Sequence, residues 1–396
     1  MSVRLPPLSL YLHFPWCVRK CPYCDFNSYT LNGSLPEAEY LQALLRDLRE
    51  QAALPQVAGR PLTSIFMGGG TPSLFSPAAI GRVLEEARAL IGFAPDIEIT
   101  LEANPGTIER GRFAEYSAAG VNRVSLGAQS FGAQQLQELG RIHSAAETIR
   151  AAEELHAAGV GNFNLDLMYG LPRQDVAGAR SDLRQALALG PAHISHYHLT
   201  MEPGTVFGAQ PPALPGEDSI ELMLEECAQE LADAGFGHYE VSAYAHEGRQ
   251  CRHNLNYWTF GDYLGVGAGA HGKLTDVAAG AIVRTTHTRE PRRYQAGTAL
   301  VLRTVNAAEL PFEFMMNALR LTAGFDAALF EERTGLRFEQ VVPTLLKQQS
   351  RGLLARIDGR WVPSLTGQRF LNDLLLEFLP DSPATADPAL SRPKVV

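Results

Sequence analysis

Residues 11–24 read YLHFPWCVRKCPYC and carry three cysteines at the spacing C-x3-C-x2-C. Thiolates are the usual ligands of iron–sulfur clusters, and a cluster of the [4Fe–4S] type held by three of them keeps one iron open to a small molecule. The alternatives are a zinc loop, for which only His13 offers a fourth ligand, and a disulfide, which suits a secreted chain. The spacing therefore predicts a [4Fe–4S] cluster bound by Cys17, Cys21 and Cys24.

The composition is that of a globular protein with excess negative charge. The chain has 396 residues, 45% of them hydrophobic, and a net charge of −9. A hydrophobic share of this size is typical of folded domains. Because a nonspecific nucleic-acid binder would show a basic field, we expect no nucleic-acid partner, although an acidic ligand could meet a local basic pocket.

Cysteine usage and hydropathy indicate a cytoplasmic protein. Outside the clustered three there are only Cys227, expected to be a small buried residue, and Cys251, a distribution of the metal-site type rather than the disulfide type. The N-terminus lacks the long apolar region of a signal peptide. No run of about 18 apolar residues predicts a membrane span, which leaves only a peripheral membrane contact open.

Short apolar strands alternate with helical segments through the first half of the chain. Strands are predicted at residues 8–13, 63–67, 96–102, 161–168 and 193–200 and within 120–131. Strands separated by helices at this spacing are the signature of parallel βα units. The sequence therefore predicts an α/β fold with a partial (β/α)6 barrel.

Polar and glycine residues cluster where these strands end, at the face where barrel active sites lie. Residues 68–73, GGGTPS, follow a strand, and their glycines let the backbone adopt positive φ and approach a ligand closely. Glu98 and Glu102 share one face of their strand. Glu102, at the carboxyl end, is the stronger candidate for a polar pocket, while Glu98 could equally lie at an exposed point.

The second half of the chain is predicted to change character twice. Residues 238–244 are expected to form one more strand. Residues 261–272, DYLGVGAGAHG with its preceding glycine, appear too irregular for a strand, and their glycines lack the helix and acidic residue of a dinucleotide site. Further on, helices are followed by a hairpin with an Asp358-Gly359 turn and a last helix at 366–378, the pattern of a winged-helix-like domain that we expect to cover the barrel mouth.

These features divide the chain into four predicted parts. They are a partial barrel at 1–245, a glycine- and aromatic-rich connecting segment at 246–305, a C-terminal winged-helix-like domain at 306–379, and a disordered tail at 380–396, which is rich in Pro, Ala and Ser.

Six segments together resemble the oxygen-independent coproporphyrinogen III oxidase family of radical S-adenosylmethionine (SAM) proteins, up to residue 378. They are YLHFPWCVRKCPYCDFNSY, GGGTPS, LEANP, LGAQSF, LDLMYGLP and HNLNYW, in the family's order. The resemblance implies that the open iron of the cluster chelates the amino and carboxylate groups of SAM. GGGTPS takes the place of the superfamily's glycine-rich motif, without its acidic residue.

Two differences separate the branches of this family. The decarboxylase has a further cysteine two places after the third, where this chain has Phe26, and a longer arm before its cluster, where this chain has 16 residues. The HemW-type haem chaperones lack that cysteine and carry HNxxYW, which is HNLNYW at residues 253–258 here. The resemblance therefore favours the chaperone branch, with decarboxylation of coproporphyrinogen III as the alternative.

The resemblance also implies which residues contact SAM. In order along the chain they are Tyr11, Tyr23, Gly69, Gly70, Thr71, Glu102, Gln129, Arg141, Asp166 and Thr200. Arg141 can pair with the SAM carboxylate through a fork contact, and Glu102 and Asp166 can accept hydrogen bonds from the ribose hydroxyls or the amino group. The alternative for Gln129 and Thr200 is that they only form hydrogen bonds at the barrel rim.

Haem is the expected cargo. His253 is the proposed haem contact because imidazole suits iron, with Tyr257 and Trp258 as flat apolar surface; the alternative is that His253 orders its loop. Cys251, His196 and His198 are secondary candidates. The expected recipients are apo-haemoproteins such as respiratory enzymes, and a homodimer is a further expectation. A DNA-binding regulator with an iron–sulfur sensor would rest only on the winged-helix-like part.

Overall fold

The structure, a computed structural model, describes residues 3–106 and 112–380. Its first half alternates strands and helices as predicted. The strands are β1 (Leu8–Phe14), β2 (Trp16–Cys17), β3 (Tyr29–Thr30), β4 (Leu62–Gly69), β5 (Phe93–Ala103), β6 (Arg123–Gln129), β7 (Phe163–Tyr169) and β8 (His193–His198). The helices are α1 (Glu37–Ala52), α2 (Pro77–Leu90), α3 (Phe113–Ala118), α4 (Ala133–Glu138), α5 (Ala145–Ala157) and α6 (Val176–Ala188), with a 3-10 turn at Pro72–Leu74.

The second half contains short strands, short helices and one long helix. The strands are β9 (Gly237–Glu240), β10 (Ala243–Ala245), β11 (Asp262–Val266), β12 (His271–Asp276), β13 (Ala281–Thr286), β14 (Val301–Thr304), β15 (Leu354–Ile357) and β16 (Arg360–Pro363). The helices are α7 (Val206–Ala209), α8 (Glu217–Asp233), α9 (Arg252–Trp258), α10 (Pro291–Gln295), α11 (Leu310–Ala318), α12 (Ala327–Thr334), α13 (Val342–Ser350), α14 (Leu365–Arg369) and α15 (Leu371–Leu376), with a 3-10 turn at Phe338–Gln340.

One sheet of 12 strands organises the described residues. Its order is β14-β13-β12-β11-β1-β4-β5-β6-β7-β8-β10-β9, and the strands from β11 to β8 run parallel. Six of these parallel strands are those predicted from the βα pattern, and the α/β fold class with a partial barrel is confirmed. Parallel strands present their carboxyl ends at one edge, where barrel sites form.

Strands and helices are held by apolar burial with polar caps. Every residue of β1 except Tyr11 is buried, as expected for a strand covered on both faces. Leu44, Leu45 and Leu48 bury one face of α1, and the capping box of Ser144 and Glu147 begins α5. The packed helices and buried strands therefore hold the carboxyl ends of the strands in fixed positions.

The prediction that residues 261–272 are too irregular for a strand was wrong. Residues 262–266 form β11, which pairs in parallel with β1 and places Gly265 opposite Tyr11. A Cβ on Gly265 would lie 1.9 Å from the His271 carbonyl oxygen, so the glycine marks a close backbone approach inside a strand. The glycines that suggested a loop are thus explained by tight packing in the sheet.

Two other predicted elements are broken in the structure. Residues 238–244 form two antiparallel strands, β9 and β10, because the chain turns at 241–242. The last helix, predicted at 366–378, is interrupted at Phe370, whose ψ of 38° departs from helical geometry. The predicted hairpin is confirmed as β15 and β16, with Asp358 and Gly359 both at positive φ.

The two larger apolar cores lie under these elements. The larger one fills the barrel sheet and its helices and reaches from Leu8 to Tyr294. The second lies among α11 to α15 and the hairpin, and it includes Phe260 and Ile282 from the sheet segment. The four-part domain division stays a prediction, and the predicted tail lies, apart from Pro380, outside the described residues. In the part of the chain that the structure describes, no helix is long and apolar enough to cross a bilayer.

Candidate functional site

The cysteine loop begins directly after β1, at the edge formed by the carboxyl ends of the parallel strands. Its base is the two-residue pair of β2 and β3, closed by Leu31 N–H donating to the Cys17 carbonyl at 2.8 Å. Lys20 Nζ donates to the carbonyls of Phe26 and Ser28, each at 3.0 Å. The loop therefore has a defined shape that presents three half-buried, free thiols.

Burial disfavours the thiolate form of Cys17 and Cys24, so a positively charged group such as iron would stabilise it. Burial raises the pKa of Cys17 to about 11, against the opposing effect of hydrogen bonds from Thr71 and Ser28. Burial also raises the pKa of Cys24. Metal binding requires thiolates, and bound iron would supply the charge that stabilises them here.

The donor set suits a cluster rather than a single ion. Among residues 3–106 and 112–380, no three His, Cys, Asp or Glu side chains are arranged to hold one metal ion. In a [4Fe–4S] cluster each thiolate binds a different iron, so its ligands do not have to meet at one point. Cys17, Cys21 and Cys24 are thus compatible with the predicted cluster.

His13, the alternative fourth zinc ligand, has both ring nitrogens in hydrogen bonds. Nδ1 lies 3.0 Å from the Tyr11 hydroxyl and Nε2 lies 2.9 Å from the Asn27 carbonyl oxygen. Burial lowers the pKa of His13 to about 4, so the ring is neutral at physiological pH. Its role in the structure is to join β1 to the end of the cysteine loop.

The glycine turn after β4 is shaped by this histidine and by the cysteine loop. Gly69 has φ of 110°, and a Cβ there would lie 2.4 Å from the His13 ring. Gly70 N–H donates to the Phe14 carbonyl at 2.7 Å, and Thr71 N–H donates to the Trp16 carbonyl at 2.8 Å. Glycine at 69 is therefore required by both the backbone angle and the contact.

Two carboxyl groups of the predicted SAM site lie close enough to influence one another. Burial, and then the charge of Asp166, raise the pKa of Glu102 to about 8. Glu102 Oε2 accepts from Gly69 N–H at 3.1 Å. Burial raises the pKa of Asp166, although Asn164 Nδ2 donates to it at 2.7 Å and Ser125 Oγ at 3.2 Å. The pair can accept hydrogen bonds from a ligand that brings hydroxyl or ammonium groups, and an ammonium group would favour the ionised form of Glu102.

Arg141 connects the cysteine loop to the strand ends. Its Nη1 donates to Cys21 Sγ at 3.6 Å, and its Nη2 donates to the Gly127 carbonyl at 2.8 Å and to Asn104 Oδ1. Its buried Nε has no hydrogen-bond partner among the described residues. Because buried donors are normally paired, this N–H fits a carboxylate supplied by a ligand.

The remaining predicted SAM residues occupy different parts of the edge. Gln129 ends β6 with φ of 67°, an uncommon angle for a residue other than glycine. Tyr23 lies beside Arg141: burial raises the pKa of the Tyr23 hydroxyl, and the charge of Arg141 opposes this shift. Thr200 is exposed two residues after β8. The structure thus brings Tyr23 to Arg141 and leaves Thr200 at the rim.

The proposed haem contacts lie on α9, where His253 is buried and Tyr257 and Trp258 are half-buried. His253 is 1% exposed; its Nδ1 lies 3.1 Å from Ser64 Oγ and its Nε2 lies 2.9 Å from the Tyr257 hydroxyl. The Trp258 ring lies under the Arg320 guanidinium at 4.3 Å. Because both nitrogens of His253 are occupied, the geometry favours the alternative that this histidine orders the segment.

The secondary haem candidates also contact other residues of the protein, and the two histidines among them differ in exposure. Cys251 is buried, and its thiol donates to Glu98 Oε1 at 3.6 Å. His196 is buried and His198 exposed, with both rings stacked near Tyr169. Glu98, for which the sequence left an exposed position open, is buried. Its exposure is 6%, and its Oε1 accepts a hydrogen bond from Arg252 N–H at 2.9 Å.

Two site residues were missed by the sequence reasoning. Asn104 donates to Thr71 Oγ1 at 2.9 Å and accepts from Arg141, so it joins two predicted SAM residues. Its position in LEANP, at the end of β5, was an available signal. Asn27 donates to the carbonyls of Ala268 and Arg289, each at 2.9 Å. No sequence signal reveals that connection, because its partners lie more than 240 residues away.

We expect Glu102→Gln to flatten the dependence of stability on pH in the cluster-free protein. The unfolded carboxyl loses its proton near pH 4.5, whereas the folded one keeps it to about pH 8. Between these values the folded state binds more protons, so the free energy of unfolding falls as pH rises. Thermal unfolding across this window should show a smaller loss of Tm in the variant. The exposed Glu39→Gln is the control; equal slopes for Glu102→Gln and wild type would contradict the burial of a protonated Glu102.

Comparison with known proteins identifies the family. A model of the Radical SAM superfamily matches residues 11–184, and a model of the HemN C-terminal domain matches residues 305–370. The chain is 50% identical over 378 residues to the heme chaperone HemW of Escherichia coli (strain K12), over 95% of this chain and 99% of that protein. It is 48% identical over 379 residues to the heme chaperone HemW of Haemophilus influenzae, with 95% and 99% covered.

The structural comparison supports the same fold. Coproporphyrinogen III oxidase (HemN) from Escherichia coli, described as a radical SAM enzyme, matches with a TM-score of 0.78 at 24% identity, over 94% of this chain and 90% of that one. The radical SAM family implies a [4Fe–4S] cluster and SAM as cofactors. On the strength of relatives that align over nearly the whole chain, the protein belongs to the HemW family of radical SAM proteins.

Proposed function

We propose that the protein is a haem chaperone that binds haem and transfers it to apo-haemoproteins, such as respiratory enzymes. The observation that carries the proposal is the 50% identity with the heme chaperone HemW of Escherichia coli over 99% of that protein's length. Phe26, at the place of the decarboxylase's additional cysteine, supports it. We place this function in the cytoplasm, with a homodimer and a peripheral membrane contact as further proposals and no nucleic-acid partner.

In this proposal Cys17, Cys21 and Cys24 hold the [4Fe–4S] cluster, and SAM lies at the strand ends. When bound, a reduced cluster would supply an electron for the cleavage of SAM, which is the chemistry that the alternative oxidase function requires. Arg141 is positioned to contact a carboxylate through its unpartnered Nε, while its Nη groups donate to protein acceptors and hold the guanidinium in place. Glu102 and Asp166 would accept hydrogen bonds from the amino group or the ribose.

The other SAM contacts are proposed with smaller roles. The turn at Gly69, Gly70 and Thr71 fixes the distance between the cysteine loop and β4. Tyr23 offers an aromatic face for adenine, while Tyr11 holds His13 at 3.0 Å. These assignments are supported by their placement at one edge of the sheet. Gln129 and Thr200 would complete the rim.

The proposal gives a mainly structural role to three residues of α9, which are His253, Tyr257 and Trp258. The hydrogen bond between His253 and Ser64 joins this helix to β4, and the packing of the Trp258 ring against the Arg320 guanidinium joins it to the segment that follows α11. Direct contact of His253 with haem iron would require one of its nitrogens to leave its partner, Ser64 or Tyr257. The variant His253→Ala tests which of the two roles applies.

The test is a paired assay under anaerobic conditions. The protein with reconstituted cluster and SAM is given either coproporphyrinogen III or haem. We expect uptake of about one haem per chain, seen as a Soret band, and no protoporphyrinogen, measured by fluorescence after oxidation. Robust decarboxylation without haem uptake would overturn the proposal in favour of the oxidase.

The variant His253→Ala is measured in parallel, with cluster content as the control for folding. Because the histidine has no free nitrogen, we expect its haem uptake to stay within about threefold of wild type, a change of less than one kcal/mol. Complete loss of the Soret band in a variant that keeps its cluster would instead identify His253 as the haem contact.

A further inference from the structure

A cavity of about 560 Å³ lies beside the cysteine loop, on the side of Cys24. The cavity is lined by the end of that loop, with Phe26 and Tyr29, and by the region around the start of α10, with Arg289 and Arg293. Pockets for small ligands usually measure about 300–1,000 Å³. This Phe26–Arg289 cavity therefore has the size of a ligand site, and the SAM residues at the strand ends do not account for it.

Two aromatic rings are left open to solvent at this cavity. Phe26 is 45% exposed and Tyr29 is 37% exposed. Exposed apolar surface rimmed by polar groups is typical of binding sites. Phe26 also stands where the decarboxylases of the family have a cysteine, so this chain offers a flat apolar face in place of a thiol.

The position of Arg289 is fixed by the cysteine loop. Its carbonyl oxygen accepts from Asn27 Nδ2 at 2.9 Å and from the Tyr29 hydroxyl at 3.1 Å. Its Nε donates weakly to Asn27 Oδ1 at 3.4 Å. The backbone carbonyl is thus held by two contacts and the side chain by one, while the residue remains exposed, with four of its five guanidinium N–H groups available to a ligand.

Arg293 is a second cation, and it forms only a weak ion pair with Glu290. Its Nε lies 3.9 Å from Glu290 Oε2 in a highly exposed pair, and such pairs contribute little. Lys20 also lines the cavity, but two of its N–H groups are used by loop carbonyls. Asp25 and Glu290 line it as well, so the positive charge available to a ligand comes chiefly from the two arginines.

We propose that this cavity binds the propionate edge of haem, with Arg289 and Arg293 pairing with the propionates and the macrocycle lying against Phe26. The inference rests on the proposed function and adds the location of the cargo. Haem is planar, largely apolar and carries two carboxylates, and guanidinium groups bind carboxylates through two parallel hydrogen bonds. A wall that is mostly polar suits the propionate edge and leaves the rest of the macrocycle accessible to an acceptor.

The experiment titrates the cluster-loaded, anaerobic protein with haem and follows the Soret band. The double variant Arg289→Gln/Arg293→Gln should bind haem about tenfold or more weakly, because it removes two charge-assisted contacts. Phe26→Ser should weaken binding as well. Arg292→Gln, an exposed arginine on the same helix that does not line the cavity, is the matched control and should stay within about twofold of wild type.

Haem dimethyl ester, whose propionates are uncharged, separates the specific contact from general attraction. We expect it to bind wild type more weakly than haem and to be insensitive to the double variant. If wild type binds haem and the double and Phe26 variants bind equally well, or if Arg292→Gln weakens binding as much, the proposed location is wrong while the chaperone function stands. If wild type takes up no haem, both the location and the function fail.

Discussion

Replacing Cys17 by serine is expected to remove the iron–sulfur cluster. The three thiols are the cluster ligands that we assign to the cysteine loop. A serine hydroxyl is a weaker ligand of iron than a cysteine thiolate. After anaerobic reconstitution the variant should hold less than one iron per chain, against about four for a [4Fe–4S] cluster. Iron and sulfide analysis measures this, and SAM binding should be lost with the cluster.

Cys227→Ala is the control for this experiment. Cys227 is fully buried in α8, as predicted, and it lies outside the cysteine loop. Its loss should leave the iron content unchanged. Full iron in Cys17→Ser, or loss of iron in Cys227→Ala, would contradict the assignment of the cluster to the C-x3-C-x2-C loop.

Asp262→Asn is expected to be the most destabilising of the conservative changes considered. The Asp262 carboxylate is fully buried and accepts from Arg60 Nη1 at 2.9 Å and from Lys273 Nζ at 2.8 Å. Thr275 donates to it through its backbone N–H at 2.9 Å and its hydroxyl at 2.8 Å. Removing one partner of a buried ionic group leaves uncompensated charge and costs about 3–5 kcal/mol.

The matched control is Asp96→Asn. Asp96 also pairs with an arginine, Arg252, but its side chain is 72% exposed. An exposed pair contributes little to stability, so denaturant unfolding should show a small change here and a large one at Asp262. Similar midpoints for both variants would mean that the strand β11 does not anchor the sheet through Asp262.

Much of the fold could be predicted because its signals are local. The strands β1 and β4 to β8 are short apolar runs separated by amphipathic helices, and the cysteine spacing is read directly from the chain. Most polar residues of the predicted SAM site follow strand ends, so parallel topology alone brings them to one edge. The Asp358-Gly359 turn was equally predictable, since its positive φ angles favour these residues.

What could not be predicted depends on contacts between distant residues. Gly265 appears to be a loop residue until β11 is paired with β1 and the His271 backbone lies against it. The cavity wall around Arg289 exists because Asn27 reaches across 262 positions of sequence. His253 was a reasonable haem ligand by residue type, and only the structure places Ser64 and Tyr257 at its two nitrogens.

The most direct test of the account is whether bound haem moves from this protein to an acceptor. Protein with its cluster and SAM is loaded with haem, freed of excess, and mixed with an apo-respiratory haemoprotein while apo-myoglobin in excess captures any haem that is released. We predict that the acceptor gains haem and activity faster than apo-myoglobin takes haem from the loaded protein in a control without acceptor. Haem that appears only in the scavenger, at the rate of spontaneous release, would contradict the chaperone function.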